Sequence, residues 1–284
     1  MRKALVTFGL LATLGVAYGM AGALHRSADS IAMLSPLFGA LMVIGAYATR
    51  TAWLRVWMGL AGVLVMGNVL IFLQEQDPGD DLRLYTKNLQ FDIAHPPALA
   101  ADIIASGADV VFLQEVSDIT APLLATLSQD YPHQHVCRWD DRRYGIAVLS
   151  RTAFTADGRC SAERAAAAAP LDIDGTPTWL VSIHLPWPWP VDSAKNEAAA
   201  TALIDTLPGP IIAAGDFNIL PWSGRLRRIR AATETRLAGP TVISFASGLL
   251  RAPIDHVLSP GGGAVTRRPL FGSDHYGLLA DLSL

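Results

Sequence analysis

The sequence predicts an α/β sandwich domain that is preceded by three transmembrane helices. Two patterns support this prediction: three long, uncharged apolar runs lie before residue 74, and after it short apolar runs alternate with Ala-rich helical stretches. Runs that stay apolar for four or five residues are typical of strands buried on both faces, as in layered α/β domains. Hydrophobic residues make up 51% of the chain, an excess that the three N-terminal runs explain.

The apolar runs cover residues 4–24, 31–49 and 56–73, and charged residues lie in the short breaks between them. Each run is about as long as a helix that crosses the roughly 30 Å hydrocarbon core of a bilayer. Basic residues precede the first run and separate the second from the third, so the positive-inside rule places the N-terminus in the cytoplasm. We therefore expect a multi-pass protein of a bacterial-type inner or plasma membrane, with everything after residue 73 extracytoplasmic.

A cleaved signal peptide is the alternative for the first run, because the small residues AGA at 21–23 resemble a cleavage site. The two remaining spans would leave the C-terminal part on the same side of the membrane, so the predicted location holds under either interpretation. An external domain lies in an oxidising compartment, where Cys137 and Cys160 could form a disulfide. Two separate buried thiols explain these cysteines equally well.

The chain beyond the apolar runs is acidic. Residues 75–284 contain 17 Lys and Arg, which is 22 less the five before residue 75, and 24 Asp and Glu, which is 25 less one. The resulting formal charge of −7 gives no overall attraction to a polyanion, although a local basic groove remains compatible with it. The composition therefore disfavours a protein that holds long DNA.

Local composition sets the domain boundaries. Residues 1–74 form the predicted membrane anchor, the acidic, Pro- and Gly-containing residues 75–81 a linker, and residues 82–284 the α/β domain. The run AAAAA at 165–169 is only a small biased patch in this prediction. Periodicity predicts helices at 96–106, 118–129, 192–206 and 223–232, and strands at 82–89, 109–113, 133–138, 145–150, 178–185, 211–215, 254–258 and 277–282.

Polar side chains recur where the predicted strands begin or end. The set contains carboxylates, carboxamides and histidines but no cysteine, and its members are Asn88, Glu115, His184, Asp216, Asn218, Asp255, Asp274 and His275. Strand ends are where layered α/β domains place their chemistry, and oxygen ligands of this kind suit a hard cation such as Mg²⁺. Each residue alone is explained by a turn cap, an ion pair or a core histidine, so the prediction depends on their joint occurrence.

Seven short motifs follow one another along the predicted domain: TKNLQ (86–90), FLQEV (112–116), GIAVLSR (145–151), SIHL (182–185), GDFN (215–218), IDHVL (254–258) and GSDH (272–275). In this order they resemble the metal-dependent endonuclease/exonuclease/phosphatase superfamily, over roughly residues 82–284. The resemblance implies a four-layer α/β/β/α sandwich of the deoxyribonuclease type. It also implies an enzyme, a metal-dependent hydrolase that acts on phosphate ester or anhydride bonds.

The resemblance assigns the metal side of the site. Glu115 resembles the principal Mg²⁺ ligand of the family, with Mn²⁺ as an alternative ion, and Asn88 and Asp274 lie on the same side. Asp216 is expected to orient or deprotonate the attacking water. A neutral His275 is an equal candidate for this base, and the sequence leaves the choice open.

The resemblance also assigns the phosphate side. Asn218 is expected to position the nucleophile, and His275 to donate to a phosphoryl oxygen while Asp255 holds its ring. His184 is expected to contact a phosphoryl oxygen as well. Gln90 stands where some family endonucleases carry an acidic residue, so the presence of a second metal ion stays open.

The predicted membrane anchor narrows the substrate. The architecture resembles the membrane-anchored branch that includes teicoplanin-resistance membrane proteins, which implies a phosphatase of undecaprenyl pyrophosphate. A tethered site meets a lipid or lipid-linked phosphate at high effective concentration. We therefore expect the bilayer and such a lipid as partners, with no obligate nucleic acid. An extracytoplasmic nuclease and a catalytically degenerate binding domain are the alternatives.

Residues beside the motifs are candidates for substrate binding. Prolines stiffen the loop HLPWPWP at 184–190, and tryptophan favours the membrane interface, so the loop is predicted to rest on the bilayer or on a lipid chain. A Trp–Pro packing cluster explains the loop equally well. The four arginines at 225, 227, 228 and 230 either meet anionic head groups or form a solvated helix face. The substrate-binding candidates are Arg143, Tyr144, Trp187, Trp189 and Trp222.

Overall fold

A computed structural model describes residues 1–22, 25, 27–139, 145–191 and 193–284. Contacts along the chain divide it into two compact units. The helical unit consists of Met1–Gln74 together with two short later segments, Trp187–Val191 and Ile219–Arg228. The sheet unit consists of the rest, in the ranges 75–186, 192–218 and 229–284.

Three long helices and a short connector form most of the helical unit. They are α1 (Arg2–Gly19), α2 (Ser27–Ile31), a 3₁₀ turn (Ala32–Leu34), α3 (Ser35–Ala48) and α4 (Ala52–Ile71). Glycines let the long helices approach closely, since a Cβ atom on Gly9 would lie 3.1 Å from the Cα atom of Gly45. Likewise, a Cβ atom on Gly62 would lie 2.8 Å from the carbonyl oxygen of Gly39. Backbone-close contacts therefore join α1 to α3 and α3 to α4.

Two helical stretches in the described part of the chain are long and apolar enough to cross a membrane, Ser27–Ala48 and Ala52–Ile71. The first predicted span, at 4–24, does not join them. Helix α1 has 18 residues and includes Arg2 and Lys3, so its uncharged portion is short, and it ends at Gly19 instead of residue 24. Length and hydropathy thus identify two spans where the sequence predicted three.

Two six-stranded sheets form the sheet unit. The strands are β1 (Leu82–Asn88), β2 (Val110–Val116), β3 (His133–Cys137), β4 (Gly145–Ser150), β5 (Arg159–Cys160), β6 (Ala166–Ile173), β7 (Thr176–His184), β8 (Ile211–Asp216), β9 (Arg236–Leu237), β10 (Phe245–Ser247), β11 (Leu250–Ala252), β12 (Asp255–Ser259), β13 (Gly262–Arg268) and β14 (Gly277–Ser283). The first sheet has the order β13-β14-β1-β2-β4-β3 and the second β5-β6-β7-β8-β12-β9, while β10 and β11 form a hairpin. β1 pairs with β2 and β7 with β8 in parallel.

The two sheets pack face to face and helices cover their outer faces. The helices of this unit are α5 (Pro96–Ser106), α6 (Ala121–Leu127) and α7 (Ala194–Ile204), while α8 (Gly224–Ala232) begins in the helical unit and ends in the sheet unit. Leu84 and Phe112 of the first sheet share one buried core with Leu180 and Ile212 of the second. Helices α5 and α6 close a second core on the first sheet, and α7 packs against β6. The predicted α/β sandwich with two sheets is confirmed.

All eight predicted strands are present, but the sequence patterns missed six others: the long strands β6 and β13 and the short strands β5, β9, β10 and β11. The alanines of β6 have high helix propensity, yet they are fully buried inside the second sheet. Their small side chains fit where Ala167 and Ala169 face the core between the sheets, so tertiary packing overrides the local preference. Strand β13 starts with glycines and ends with arginines, a composition that gives no apolar run.

Cys137 and Cys160 form a disulfide, with their Cα atoms 5.6 Å apart. Cys137 ends β3 at one edge of the first sheet, and Cys160 ends β5 at one edge of the second. Of the two alternatives that the sequence left open, the structure has the bridge. The disulfide therefore joins the two sheets at that side of the sandwich.

Candidate active site

Strand register brings the predicted polar residues to one end of the two sheets. In the first sheet, β1 and β2 run in parallel, and Asn88 at the end of β1 pairs with Gln114, the residue before Glu115. In the second, His184 at the end of β7 lies opposite Asp216 at the end of β8. Strand β12 is antiparallel to β8, so it begins with Asp255 opposite the same Asp216. Carboxyl ends of parallel strands thus meet the start of an antiparallel neighbour.

Asn88 connects the carboxylates of the two sheets. Its Nδ2 atom donates to Glu115 Oε1 at 3.0 Å and to Asp216 Oδ2 at 3.1 Å. Asn218 holds the other side of Asp216, with its backbone N–H on Oδ1 and its Nδ2 on Oδ2, both at 2.9 Å. Glu115 and Asn218 have φ angles of 56° and 51°, a left-handed conformation that non-glycine residues adopt mainly where the surrounding contacts fix it.

The two histidines of the site differ in charge. His275 Nδ1 lies 2.8 Å from Asp255 Oδ2, and its Nε2 lies 3.7 Å from Asp216 Oδ2. Burial lowers the pKa of His275, but the carboxylates of Asp255, Asp216 and Asp274 outweigh burial and raise that pKa to about 10. Burial lowers the pKa of His184 to about 4, so its ring is neutral although Nε2 lies 3.5 Å from Glu115 Oε1. His275 is therefore the positively charged histidine of the pair.

The buried carboxylates need more positive charge than His275 supplies. Burial raises the pKa values of Asp216, Glu115 and Asp274, and neighbouring carboxylates raise them further. Ligand atoms of Asp216, Asp255 and His275 all lie within 4.8 Å of one another. Clustered carboxylates with raised pKa values form the kind of donor set that a hard divalent cation prefers. The residues present thus fit a bound divalent metal ion.

The sequence patterns missed several residues that support this site. Lys87 is 1% exposed, its Nζ atom donates to the carbonyl oxygen of His275, and burial lowers its pKa to about 7. Gln90 Oε1 accepts from the backbone N–H of Asp274 at 2.8 Å. Ser273 Oγ donates to the carbonyl oxygen of Asn88 at 2.8 Å. The one available signal was that these residues lie within the motifs TKNLQ and GSDH. The contacts themselves join distant parts of the chain and are not visible in the sequence.

The residues predicted to bind substrate do not lie together in one part of the structure. Arg143 and Tyr144 lie outside the described residues. Trp187, Trp189 and Trp222 belong to the helical unit, and Trp189 is 51% exposed. Trp222 is half-buried, and its Nε1 atom donates to a carbonyl oxygen at 2.7 Å.

Of the arginines that follow Trp222, Arg225 does not lie on a solvated helix face, because it is 0% exposed. Arg228 NH2 lies 3.5 Å from Asp29 Oδ2, so its charge has a partner within the helical unit. Burial of Arg225 rules out both alternatives for that residue, while Arg228 is exposed and also paired with Asp29. Arg227 on the same helix is exposed, which is compatible with both alternatives.

An α/β/β/α sandwich with buried carboxylates, amides and a cationic histidine at one end of its two sheets defines a class of metal-dependent phosphate hydrolases. The family model described as Endonuclease/Exonuclease/phosphatase family matches residues 85–275. The chain belongs to this family. Members of the family are metal-dependent hydrolases that act on phosphodiester bonds, and the predicted enzyme class is confirmed. No curated protein sequence matches the chain.

Solved structures share the fold at low sequence identity. An endonuclease/exonuclease/phosphatase from Bacteroides vulgatus has a TM-score of 0.58 at 17% identity, over 72% of this chain and 98% of its own. A humanized D. rerio TDP2 has a TM-score of 0.56 at 15% identity, over 70% and 97%. Sphingomyelinase C from Streptomyces griseocarneus has a TM-score of 0.50 at 20% identity, over 71% and 99%. At such identities these similarities establish the fold alone.

Proposed function

We propose that this protein is a membrane-anchored, extracytoplasmic, Mg²⁺-dependent phosphoesterase that hydrolyses a lipid or lipid-linked phosphate or pyrophosphate, of the undecaprenyl pyrophosphate or phospholipid kind. One observation supports the reaction above all. Asp216 lies at the centre of the site, where the side chains of Asn88 and Asn218 hydrogen-bond its carboxylate and His275 faces it at 3.7 Å. A base, a cationic donor and amide groups thus surround one position.

The residues divide the chemistry of phosphate hydrolysis between them. Asp216 orients water and accepts its proton, and Asn218 fixes the orientation of that carboxylate through two hydrogen bonds. His275, held by Asp255 at 2.8 Å, donates to a phosphoryl oxygen and reduces the repulsion that an anionic substrate presents to the nucleophile. His184, whose low pKa keeps it neutral, offers a second donor to the phosphate without adding charge.

Glu115, Asn88 and Asp274 are the residues proposed to hold the metal ion. The raised pKa of Glu115 marks a buried carboxylate that a nearby cation would stabilise, and Asn88 Nδ2 donates to it at 3.0 Å. When bound, a Mg²⁺ ion supplies positive charge for the phosphoryl oxygens and for the carboxylates. Oxygen and carboxamide ligands without cysteine favour Mg²⁺, or Mn²⁺, over a soft metal.

Membrane anchoring is supported by the exposed surface of the helical unit. Large apolar side chains on its helices have high exposed fractions, among them Leu14 at 67%, Tyr47 at 91%, Trp53 at 70% and Leu64 at 73%. Helices that are apolar on all sides are typical of membrane spans, since water would not tolerate such a surface. The candidate spans Ser27–Ala48 and Ala52–Ile71 therefore favour a helical unit that lies in a bilayer.

The extracytoplasmic location depends on α1 crossing as a third span. Arg2 Nε donates to the carbonyl oxygen of Ala48, so the start of α1 lies beside the end of α3, and Gly9 meets Gly45 farther along the pair. The two helices are antiparallel, and we propose that α1 crosses the membrane beside α3 although its own length and hydropathy do not identify it as a span. Arg50, which follows α3, then lies on the cytoplasmic side with Arg2. Residues 82–284 become an extracytoplasmic catalytic domain joined by the linker 75–81.

An extracytoplasmic nuclease is the second candidate, because the catalytic residues do not distinguish among phosphodiesters. One solved relative is a D. rerio TDP2 complexed with a single-strand DNA product, and another is a sphingomyelinase C. The formal charge of −7 on residues 75–284 disfavours a polyanionic substrate, and the apolar helices favour a lipid. The lipid substrate is therefore preferred.

Purified full-length protein with Mg²⁺ separates these candidates when it is offered undecaprenyl pyrophosphate, a phospholipid panel and plasmid DNA. We expect turnover of a lipid phosphate that Asp216→Asn and Glu115→Gln abolish and that Asp157→Asn, an exposed carboxylate change, leaves intact. DNA cleavage without lipid turnover would establish the nuclease instead. Absence of any turnover that depends on Asp216 would indicate a binding domain.

The tryptophans and the topology have separate tests. Changing Trp187 and Trp189 to serine is expected to impair turnover of a lipid more than turnover of a soluble phosphoester, because Trp189 is 51% exposed and suited to a bilayer interface. Equal losses would favour a packing role. A C-terminal alkaline phosphatase fusion, active only outside the cytoplasm, is expected to be active; activity only of a cytoplasmic reporter would overturn the external location.

A further inference from the structure

Asp29 is the single acidic residue in the first 74 residues of the chain, and it is buried. It lies on α2, in the connector between α1 and α3, and is 2% exposed. A buried carboxylate destabilises the folded protein unless it is paired and hydrogen-bonded, so the partners of Asp29 indicate its role. Both of its oxygens face the segment 219–228, which belongs to the same helical unit.

The carboxylate of Asp29 binds the start of α8. Its Oδ1 atom accepts the backbone N–H of Arg225 at 3.1 Å, and its Oδ2 atom lies 3.5 Å from Arg228 NH2. A carboxylate at the first turn of a helix satisfies a free N–H group and interacts favourably with the helix dipole. Residues of one segment thus cap a helix that begins 195 positions later, at Gly224.

Two glycines make room for this contact. A Cβ atom on Gly22 would lie 2.5 Å from Asp29 Oδ1, and a Cβ atom on Gly224 would lie 3.0 Å from the same oxygen. The Cβ atom on Gly224 would also lie 3.5 Å from the Cα atom of Gly22, so the two backbones approach each other closely. A larger residue at either glycine would push Asp29 away from α8.

Three further contacts extend the attachment on both sides of Asp29. Trp222 Nε1 donates to the carbonyl oxygen of Ala32 at 2.7 Å, and its ring centroid lies 6.4 Å from that of Phe72. Ser30 Oγ donates to the carbonyl oxygen of Trp189 at 3.2 Å. The connector therefore holds 187–191 and 219–228 together, and we call this group of contacts the Asp29 clasp.

The two clasped segments directly follow proposed catalytic residues in the chain. Segment 187–191 begins three residues after His184, and segment 219–228 begins with the residue after Asn218. Asn218 is held at a φ angle of 51°, so a displacement of its successor changes the backbone that positions its two hydrogen bonds to Asp216. We propose that Asp29 is a positioning residue for the hydrolysis. The helical unit then contributes to catalysis in addition to anchoring the enzyme.

This inference depends on the proposed roles of the site residues, and kinetics on a soluble substrate test it without any contribution from lipid binding. Asp29→Ala is expected to lower kcat for bis(p-nitrophenyl) phosphate by about tenfold and to leave KM within about twofold, because misplacement of a catalytic group affects the reaction more than the binding of a small diester. Asp29→Asn keeps an oxygen for the Arg225 N–H and is expected to lose less. Asp157→Asn is the matched control and is expected to match the wild type.

A second measurement reports the clasp without any activity. A protease site is inserted between the exposed Gln74 and Glu75, and the full-length protein is cleaved in detergent. The two pieces are expected to co-elute in gel filtration, and Asp29→Ala is expected to weaken their association at least about tenfold across a dilution series, which corresponds to the loss of one charged contact. Arg228→Gln, which removes the guanidinium that faces Asp29, is expected to have an intermediate effect.

The outcomes separate the clasp from the proposed function. Unchanged kcat in Asp29→Ala with a wild-type melting curve would overturn the positioning role, as would wild-type pieces that separate on cleavage. If Asp29→Ala does not fold, the same kinetic and association measurements on Asp29→Asn and Arg228→Gln test the positioning role. A wild-type protein that hydrolyses no phosphoester would overturn the proposed function, while the co-elution result would still decide whether the clasp exists.

Discussion

Replacement of Asp255 by asparagine tests the proposed role of His275. Asp255 begins β12, opposite Asp216, and Ser244 Oγ accepts its backbone N–H at 2.9 Å, so its position is fixed independently of its side-chain charge. Its Oδ2 atom lies 2.8 Å from His275 Nδ1, and the two side chains are 3% and 6% exposed. An asparagine side chain has nearly the same size and keeps an acceptor oxygen, so Asp255→Asn removes the charge with little change in shape.

The size of the effect follows from the burial of this pair. A hydrogen bond to a charged group contributes about 1.5–3 kcal/mol. If that contribution is lost in the transition state, where His275 carries the positive charge, each 1.36 kcal/mol lowers the rate about tenfold. Asp255→Asn is therefore expected to lower kcat by about 10- to 150-fold, with KM nearly unchanged because Asp255 contacts the ring and not the substrate.

A double-mutant cycle on a soluble phosphodiester at saturating Mg²⁺ makes the test specific. Because Asp255 acts through His275, Asp255→Asn is expected to change kcat less than about twofold in a His275→Ala background. Equal effects of Asp255→Asn in the presence and absence of the His275 ring would refute the reasoning, and so would a wild-type kcat in the single variant. Circular dichroism melting of each variant checks that the sandwich is intact.

Three other predictions follow from the same structure. Mg²⁺ at about 100 times its Kd is expected to stabilise the protein by about 2.7 kcal/mol over EDTA in thermal melts, and Glu115→Gln is expected to abolish that difference. Cys137→Ser is expected to cost about 3 kcal/mol in urea unfolding, because the bridge to Cys160 spans a sequence separation of 23; reduction of the wild type with the same loss is the matching control, and no loss would contradict the role of the bridge. Gly215→Ala is expected to cost at least about 2 kcal/mol, since the φ angle is 138° and a Cβ atom would lie 2.1 Å from the carbonyl oxygen of Ile183; an unchanged melting temperature would refute this.

The candidate site was predictable because strand periodicity and motif order are local properties of the sequence. Asn88, Glu115, His184 and Asp216 each lie at or near the end of a strand that alternation or an apolar run reveals. Parallel neighbours place their ends at one edge, so the residues had to converge once the strands were paired. Strand β12 completes the set because it is antiparallel to β8 and starts with Asp255, where the other strands end.

The supporting residues were not predictable in this way. In the motif TKNLQ, Lys87 has the pattern of an ordinary strand residue. The neighbouring sequence does not predict that it is 1% exposed or that it donates to the carbonyl oxygen of His275. The alanines of β6 have high helix propensity, and they form a strand only because they pack between the two sheets. In both cases the deciding partner lies in a distant part of the chain.

Asp29 shows why function can lie outside the motif-bearing part of such a chain. As a sequence feature it is one charge in a break between apolar runs, and the positive-inside rule treats it only as an offset to the neighbouring basic residue. In the structure it caps α8 and pairs with Arg228, which lies ten residues after the motif residue Asn218. A tether would need apolar helices alone. Burial of the Asp29 carboxylate carries a desolvation penalty, and a simple membrane tether would not need such a group. In our proposal, the carboxylate is present because it positions the segment that follows Asn218.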